Sequence, residues 1–166
     1  ERFRERNWPQ PEIGVGLSTG DMTVGDMGSS VRKAYTVMGD AVNVGSRLEG
    51  LTRQLGAFCL VPKATKDACP EIVFREVDVV RVKGKAEPVR IYEPVCFVND
   101  ANEIMFQELQ MWHEAIALTR QQQWDQALGL LDEIVAMYGE EDRIRVLRDK
   151  IIRLKQNPPE ANWDGV

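Results

Sequence analysis

The apolar positions of this chain change their period near its middle. Ile13-Gly14-Val15-Gly16-Leu17 alternates apolar residues with glycine, and Met22-Thr23-Val24-Gly25 follows the turn Ser18-Thr19-Gly20-Asp21, a pattern that predicts a β-hairpin. The glycines leave one strand face bare, which suits the close approach of a helix or a ligand. A loop with Gly28-Ser29-Ser30 and the charges Arg32-Lys33 leads to a short extended piece over 34–38. Ala41, Val44, Leu48, Leu51 and Leu55 then recur at helical spacing behind Gly39-Asp40 as N-terminal cap, predicting a helix with that stripe buried. Asn43 and Arg47, four apart and rotated off the stripe, project together from its flank. Residues 57–61 read as a buried strand, and 62–68 as a short helix with Pro62 in its first turn. Two β-rich runs, 73–82 and 89–95, flank a turn over 83–88.

From Glu103 onward the period is helical throughout. Met105, Leu109, Trp112 and Ile116 line a first helix; Trp124, Ala127, Leu131, Ile134 and Tyr138 a second; Ile144, Leu147, Ile151 and Leu154 a third. A polar turn over 120–123 makes the first two a helical hairpin, and Trp124-Asp125-Gln126-Ala127 resembles the second helix of a tetratricopeptide unit. One such unit cannot bury itself alone, so it is expected to pack on the preceding part. The pattern therefore predicts an α+β unit over 1–99, a helical appendage over 100–156 and an extended tail over 157–166.

Charge follows the same division. The 166 residues carry 21 Lys plus Arg and 26 Asp plus Glu, a net charge of −5. Residues 1–99 hold 14 basic and 13 acidic side chains, and 100–166 hold 7 and 13, so the excess of acid lies in the helical part. The acidic balance argues against a general nucleic-acid binder. No apolar run approaches the roughly 18–20 residues of a bilayer helix, so no membrane contact is expected, and the polar start, without Met, reads as an internal segment. Cys59, Cys69 and Cys96 are odd in number and form no CxxC, as expected of reduced cytosolic thiols.

Arg32, Lys33, Arg47, Lys83 and Lys85 sit beside glycines, turns or a helix flank, where cations and backbone N–H groups can converge on phosphate. Asn43 beside Arg47 pairs a neutral amide with a guanidinium, suited to a sugar oxygen and a polyphosphate oxygen together. A dinucleotide fingerprint does not fit Gly14 to Gly20, because the spacing is GxGxxxG and a second strand, not a helix, follows. His113 has no ligand partner at metal-binding spacing and reads as structural, and no Ser-His-Asp or Cys-His set can be assembled.

Three runs go beyond general pattern: Ile13 to Gly20, Val24-Gly25-Asp26-Met27-Gly28, and Tyr35-Thr36-Val37-Met38-Gly39-Asp40-Ala41-Val42-Asn43-Val44-Gly45-Ser46-Arg47-Leu48-Glu49. Together they resemble the C-terminal half of the class III nucleotidyl cyclase catalytic domain, and Val82-Lys83-Gly84-Lys85 and Ile91-Tyr92-Glu93-Pro94 extend the resemblance to about residue 97. It implies a ferredoxin-like (βαββαβ) cyclase palm, present here in its C-terminal part only. It also implies an adenylate cyclase that turns ATP into cyclic AMP and pyrophosphate at a site shared by two cyclase domains. By the same resemblance Asn43 orients the ribose, Arg47 stabilises charge at the α-phosphate, Lys83 binds the terminal phosphates, and Thr36 stands at the base-recognition position and favours adenine.

The two aspartates that hold magnesium or manganese in that family belong to motifs absent here. Asp21, Asp26 and Asp40 are not assigned to metal, the ligands are expected outside this segment, and the segment alone is expected to be inactive. The appendage and the terminal Asn162-Trp163-Asp164-Gly165-Val166 resemble bacterial sensor adenylate cyclases, which implies a cytoplasmic segment of a parent anchored at the inner membrane. A non-catalytic dimerisation module and a guanylate cyclase are the alternatives.

Overall fold

A computed structural model describes residues 6, 13–28, 33–81, 87–160 and 163–166. The elements in chain order are β1 (Val15–Gly16), β2 (Thr23–Gly28), β3 (Lys33–Met38), α1 (Asp40–Leu51), β4 (Cys59–Pro62), α2 (Lys63–Asp67), β5 (Ile72–Val80), β6 (Val89–Phe97), α3 (Glu103–Arg120), α4 (Trp124–Tyr138) and α5 (Asp142–Gln156). The mixed α+β class expected from the sequence is the class observed.

Strand pairing corrects one expectation. β1 does not form a hairpin with β2. It pairs in parallel with β4, Val15 opposite Cys59 and Gly16 opposite Leu60, while β2 pairs antiparallel with β3 as a separate ribbon. The four-stranded sheet runs β1-β4-β6-β5. Alternation along a strand fixes which face is apolar and says nothing about the partner, and here the partner of β1 lies 44 residues away.

The glycines of β1 serve a helix. A Cβ on Gly16 would meet the Gly45 carbonyl and the Glu49 amide of α1, and one on Gly14 would meet the Thr52 hydroxyl, so α1 lies directly on the strand backbone. Its buried residues are Ala41, Val44 and Leu48 of the predicted stripe, with Gly45 added where the strand comes closest; Leu51, at the last turn, is only partly buried, and Leu55 lies beyond the helix end. Val44, Leu48, Leu60 and Ile91 form the core on that side of the sheet, and Cys59, Val61 and Tyr92 the core on the other. β4 is buried along its whole length, but the buried strand expected over 57–61 begins only at Cys59, and Phe58 ahead of it is exposed.

In the helical part, Asn102 caps α3 by accepting from the Met105 amide at 2.9 Å. Trp112, Ala115, Ile116, Ala127, Leu131, Ile134, Ile144, Leu147 and Ile151 join the three helices in one core. The appendage grips the sheet at a bulge in β5, where the register with β6 shifts between Glu76 and Asp78. Trp112 Nε1–H donates to the Glu76 carbonyl at 2.6 Å, His113 Nε2 accepts from the Glu76 amide at 3.0 Å, and Arg120 pairs with the Glu76 carboxylate. Lys150 of α5 reaches Asp78 at 2.6 Å, and Gly56, at φ +63°, passes against the Arg143 backbone. Described residues of the tail carry no helix or strand and fold back: Trp163 stands 6.3 Å from Trp124 between ring centroids, and Asp164 pairs with Arg81. Among the described residues no helix is long and apolar enough to cross a membrane.

Candidate functional site

The predicted site residues sit at the joint between the β2–β3 ribbon and α1. Thr36 is exposed on β3 opposite Gly25, two residues before the strand ends at Met38. Gly39 alone joins β3 to α1, and a Cβ there would stand 2.8 Å from the Asp21 carbonyl, so a larger residue would push the joint off the turn it crosses. Asn43 is exposed and Arg47 partly exposed on consecutive turns of α1, since the buried stripe turns their flank outward. The fold thus places an amide and a guanidinium one turn apart, at the end of the helix reached directly from the strand of Thr36. Lys83 lies outside the described residues, as do Arg32 and Lys85.

A cleft of about 700 Å³ opens beside this joint, between the turn Ser18-Thr19-Gly20-Asp21, the first turn of α1 at Asp40, Ala41 and Val44, the start of α2 at Lys63, and the start of β6 at Arg90. Its floor is tied across by the Thr19 amide, which donates to Thr65 Oγ1 at 2.9 Å. Thr36, Asn43 and Arg47 do not line it, because Ala41 and Val44 belong to the stripe and Asn43 and Arg47 to the flank. The cleft, with Lys63 and Arg90 beside Asp21, Asp40 and Glu87, has no counterpart in the sequence reading; it arises from four segments far apart in the chain.

Among the described residues no group of three His, Cys, Asp or Glu is placed to hold a metal ion. Cys59, Cys69 and Cys96 are unpaired, and burial, with Glu93 nearby, pushes the Cys59 thiol up and away from the reactive thiolate. Partial desolvation lowers the pKa of His113, which is exposed at the surface; its imidazole accepts a backbone N–H far from the joint and acts structurally.

Against known proteins, no family model matches the chain. It is 43% identical over 89 residues to an adenylate cyclase of Anabaena cylindrica, covering 51% of this chain and 18% of that protein. It is 37% identical over 100 residues to adenylate cyclase 1 of Rhizobium meliloti, covering 60% and 15%. Among solved structures, the adenylyl cyclase CyaB from P. aeruginosa matches at 34% identity and a TM-score of 0.52, over 61% of this chain and 52% of that one. The chain carries a stretch similar in sequence and in fold to adenylate cyclases. Its sheet and helices are those of the cyclase palm, the ferredoxin-like arrangement expected from the sequence, followed by helices. The chain spans less than a fifth of the length of these curated relatives.

Proposed function

We propose that this chain is the C-terminal half of a class III adenylate cyclase catalytic domain with a helical appendage, part of a larger enzyme that makes 3′,5′-cyclic AMP and pyrophosphate from ATP. The observation that carries the reading is the placing of Asn43 and Arg47 side by side on the outward flank of α1, with Thr36 on the strand that feeds it. In the reaction the ribose 3′ oxygen attacks the α-phosphorus and the bond to the leaving pyrophosphate breaks. Asn43 would hold the ribose so that this oxygen is in line. Arg47 would bind the oxygens on which charge grows, where a fixed cation lowers the barrier more than it tightens substrate. Thr36 would meet the exocyclic amine of adenine through its hydroxyl, and Lys83 the terminal phosphates.

Two parts of the site come from elsewhere in this reading. Magnesium or manganese, when bound, would neutralise the triphosphate, and the family resemblance assigns its two aspartate ligands to motifs upstream of this segment. The other part is a second cyclase domain. Val24, Tyr35, Val37 and Met38 expose apolar surface on the ribbon that carries Thr36, and Asn43 and Arg47 face outward instead of into a cleft of their own domain. Both features fit a site completed across a homodimer. The chain would act on the cytoplasmic side of its parent.

Turnover of ATP and of GTP by a protein extended to include the upstream strands tests this reading. Cyclic AMP formed from ATP in preference to cyclic GMP from GTP, with neither made by the isolated segment, is expected. GTP preference would sink the adenine role of Thr36, and no turnover of either would favour a non-catalytic dimerisation module, for which the exposed ribbon is equally suited.

A further inference from the structure

A cavity of about 290 Å³ lies in the seam between the sheet and the appendage, walled by β5 at Val77 and Asp78, by Trp112 of α3, and by Arg143, Leu147, Lys150 and Arg153 of α5. It is separate from the joint at Thr36, Asn43 and Arg47. Its volume is that of roughly ten water molecules at about 30 Å³ each. The face that α5 turns to a sheet should be apolar, yet it carries three cations among its apolar positions. Their carboxylate partners do not use them up. Arg143 gives its terminal nitrogens to Glu108 and Glu141, and Lys150 pairs with Asp78 at 2.6 Å; Arg153 has no ion pair among the described residues. Arg143 is 7% exposed, and its Nε–H, buried, has no acceptor. A buried guanidinium donor without an acceptor calls for a missing partner. Burial, and then the nearby Arg75, press the Arg143 pKa below the usual guanidinium range, with Glu108 and Glu93 opposing.

We infer that this seam cavity binds a small organic oxyanion, a carboxylate or phosphate monoester on a compact apolar body, with its charge held by Arg143, Lys150 and Arg153 and its body against Trp112, Val77 and Leu147. The apolar wall distinguishes such a ligand from a bare inorganic ion, and the cations distinguish it from a neutral one. Because the walls come from both the sheet and the appendage, an occupant would tie the two together.

Titration of the whole chain with phenyl phosphate, benzoate, inorganic phosphate and benzyl alcohol, followed by the Trp112 indole N–H in heteronuclear NMR spectra, tests this. Saturable shifts with phenyl phosphate or benzoate are expected, the stronger of the two identifying the headgroup, with weaker binding of inorganic phosphate and none of benzyl alcohol. Arg153→Gln, an exposed head whose loss should leave the fold intact by circular dichroism, should weaken the better ligand about tenfold or more, the size of one charge-assisted bond. Absence of saturation with either aryl anion, equal response to benzyl alcohol, or unchanged affinity in Arg153→Gln would overturn the assignment. The test does not depend on cyclase activity, so its failure leaves the proposed function untouched.

Discussion

His113, the chain's single histidine, shows how a residue without catalytic partners still shapes behaviour. Its Nε2 must stay unprotonated to accept the Glu76 amide, and partial desolvation at the seam lowers its pKa although the ring is exposed, with Arg75 and Lys66 adding to the effect and Glu76 opposing it. A histidine with a depressed folded-state pKa contributes stability that is full above its unfolded value, about 6.5, and is lost as pH falls from there toward the folded value. Thermal unfolding should therefore show a midpoint falling below about pH 6.5, and His113→Gln should remove that slope. Proton NMR of the one imidazole should give a pKa below 6.5; a value above it would contradict the contact. Beside it, Trp112→Phe removes the indole donor to the Glu76 carbonyl and should cost about 1–3 kcal/mol in chemical denaturation, the usual loss when a buried acceptor is left unpaired. Neither role was legible in the sequence, where Trp112 reads as a core position and His113 as a lone histidine, because their partner lies more than thirty residues away on another element.

At the scale of elements, α1 was legible almost entirely: the spacing of Ala41, Val44 and Leu48 sets its buried face, and through it the outward flank of Asn43 and Arg47. The three later helices follow from the same rule. β1 was legible as a strand and not in its pairing, because two residues of alternation cannot specify a parallel neighbour in β4. Its glycines did foretell a close approach, and the approaching element is α1. Gly16→Ala should accordingly destabilise the protein by about 1–3 kcal/mol, as overpacking does, since the added methyl meets helix backbone that cannot rotate away. A neutral result in denaturant titration would mean that α1 sits farther from β1 than described.

The whole molecule joins an α+β unit to three helices through one bulged strand, and the likeness to adenylate cyclases covers little more than half of it. In the proposed reading, the exposed apolar ribbon and the outward-facing Asn43 and Arg47 belong to one surface, which a second domain completes. In the extended protein, Tyr35→Glu with Val37→Glu should shift sedimentation from dimer toward monomer and abolish turnover together; loss of one without the other would separate the ribbon from the site. The roles proposed for Asn43, Arg47 and Thr36 rest on family resemblance, while the seam and the cleft beside the joint were not legible, since both are assembled from segments distant in the chain. The most direct measurement is cyclic AMP formation from ATP by the extended protein, wild type against Arg47→Ala. If Arg47 bears charge at the α-phosphate, kcat falls by a factor on the order of 10²–10³ with KM little changed and the fold intact; an unchanged kcat would contradict the catalytic reading of this chain.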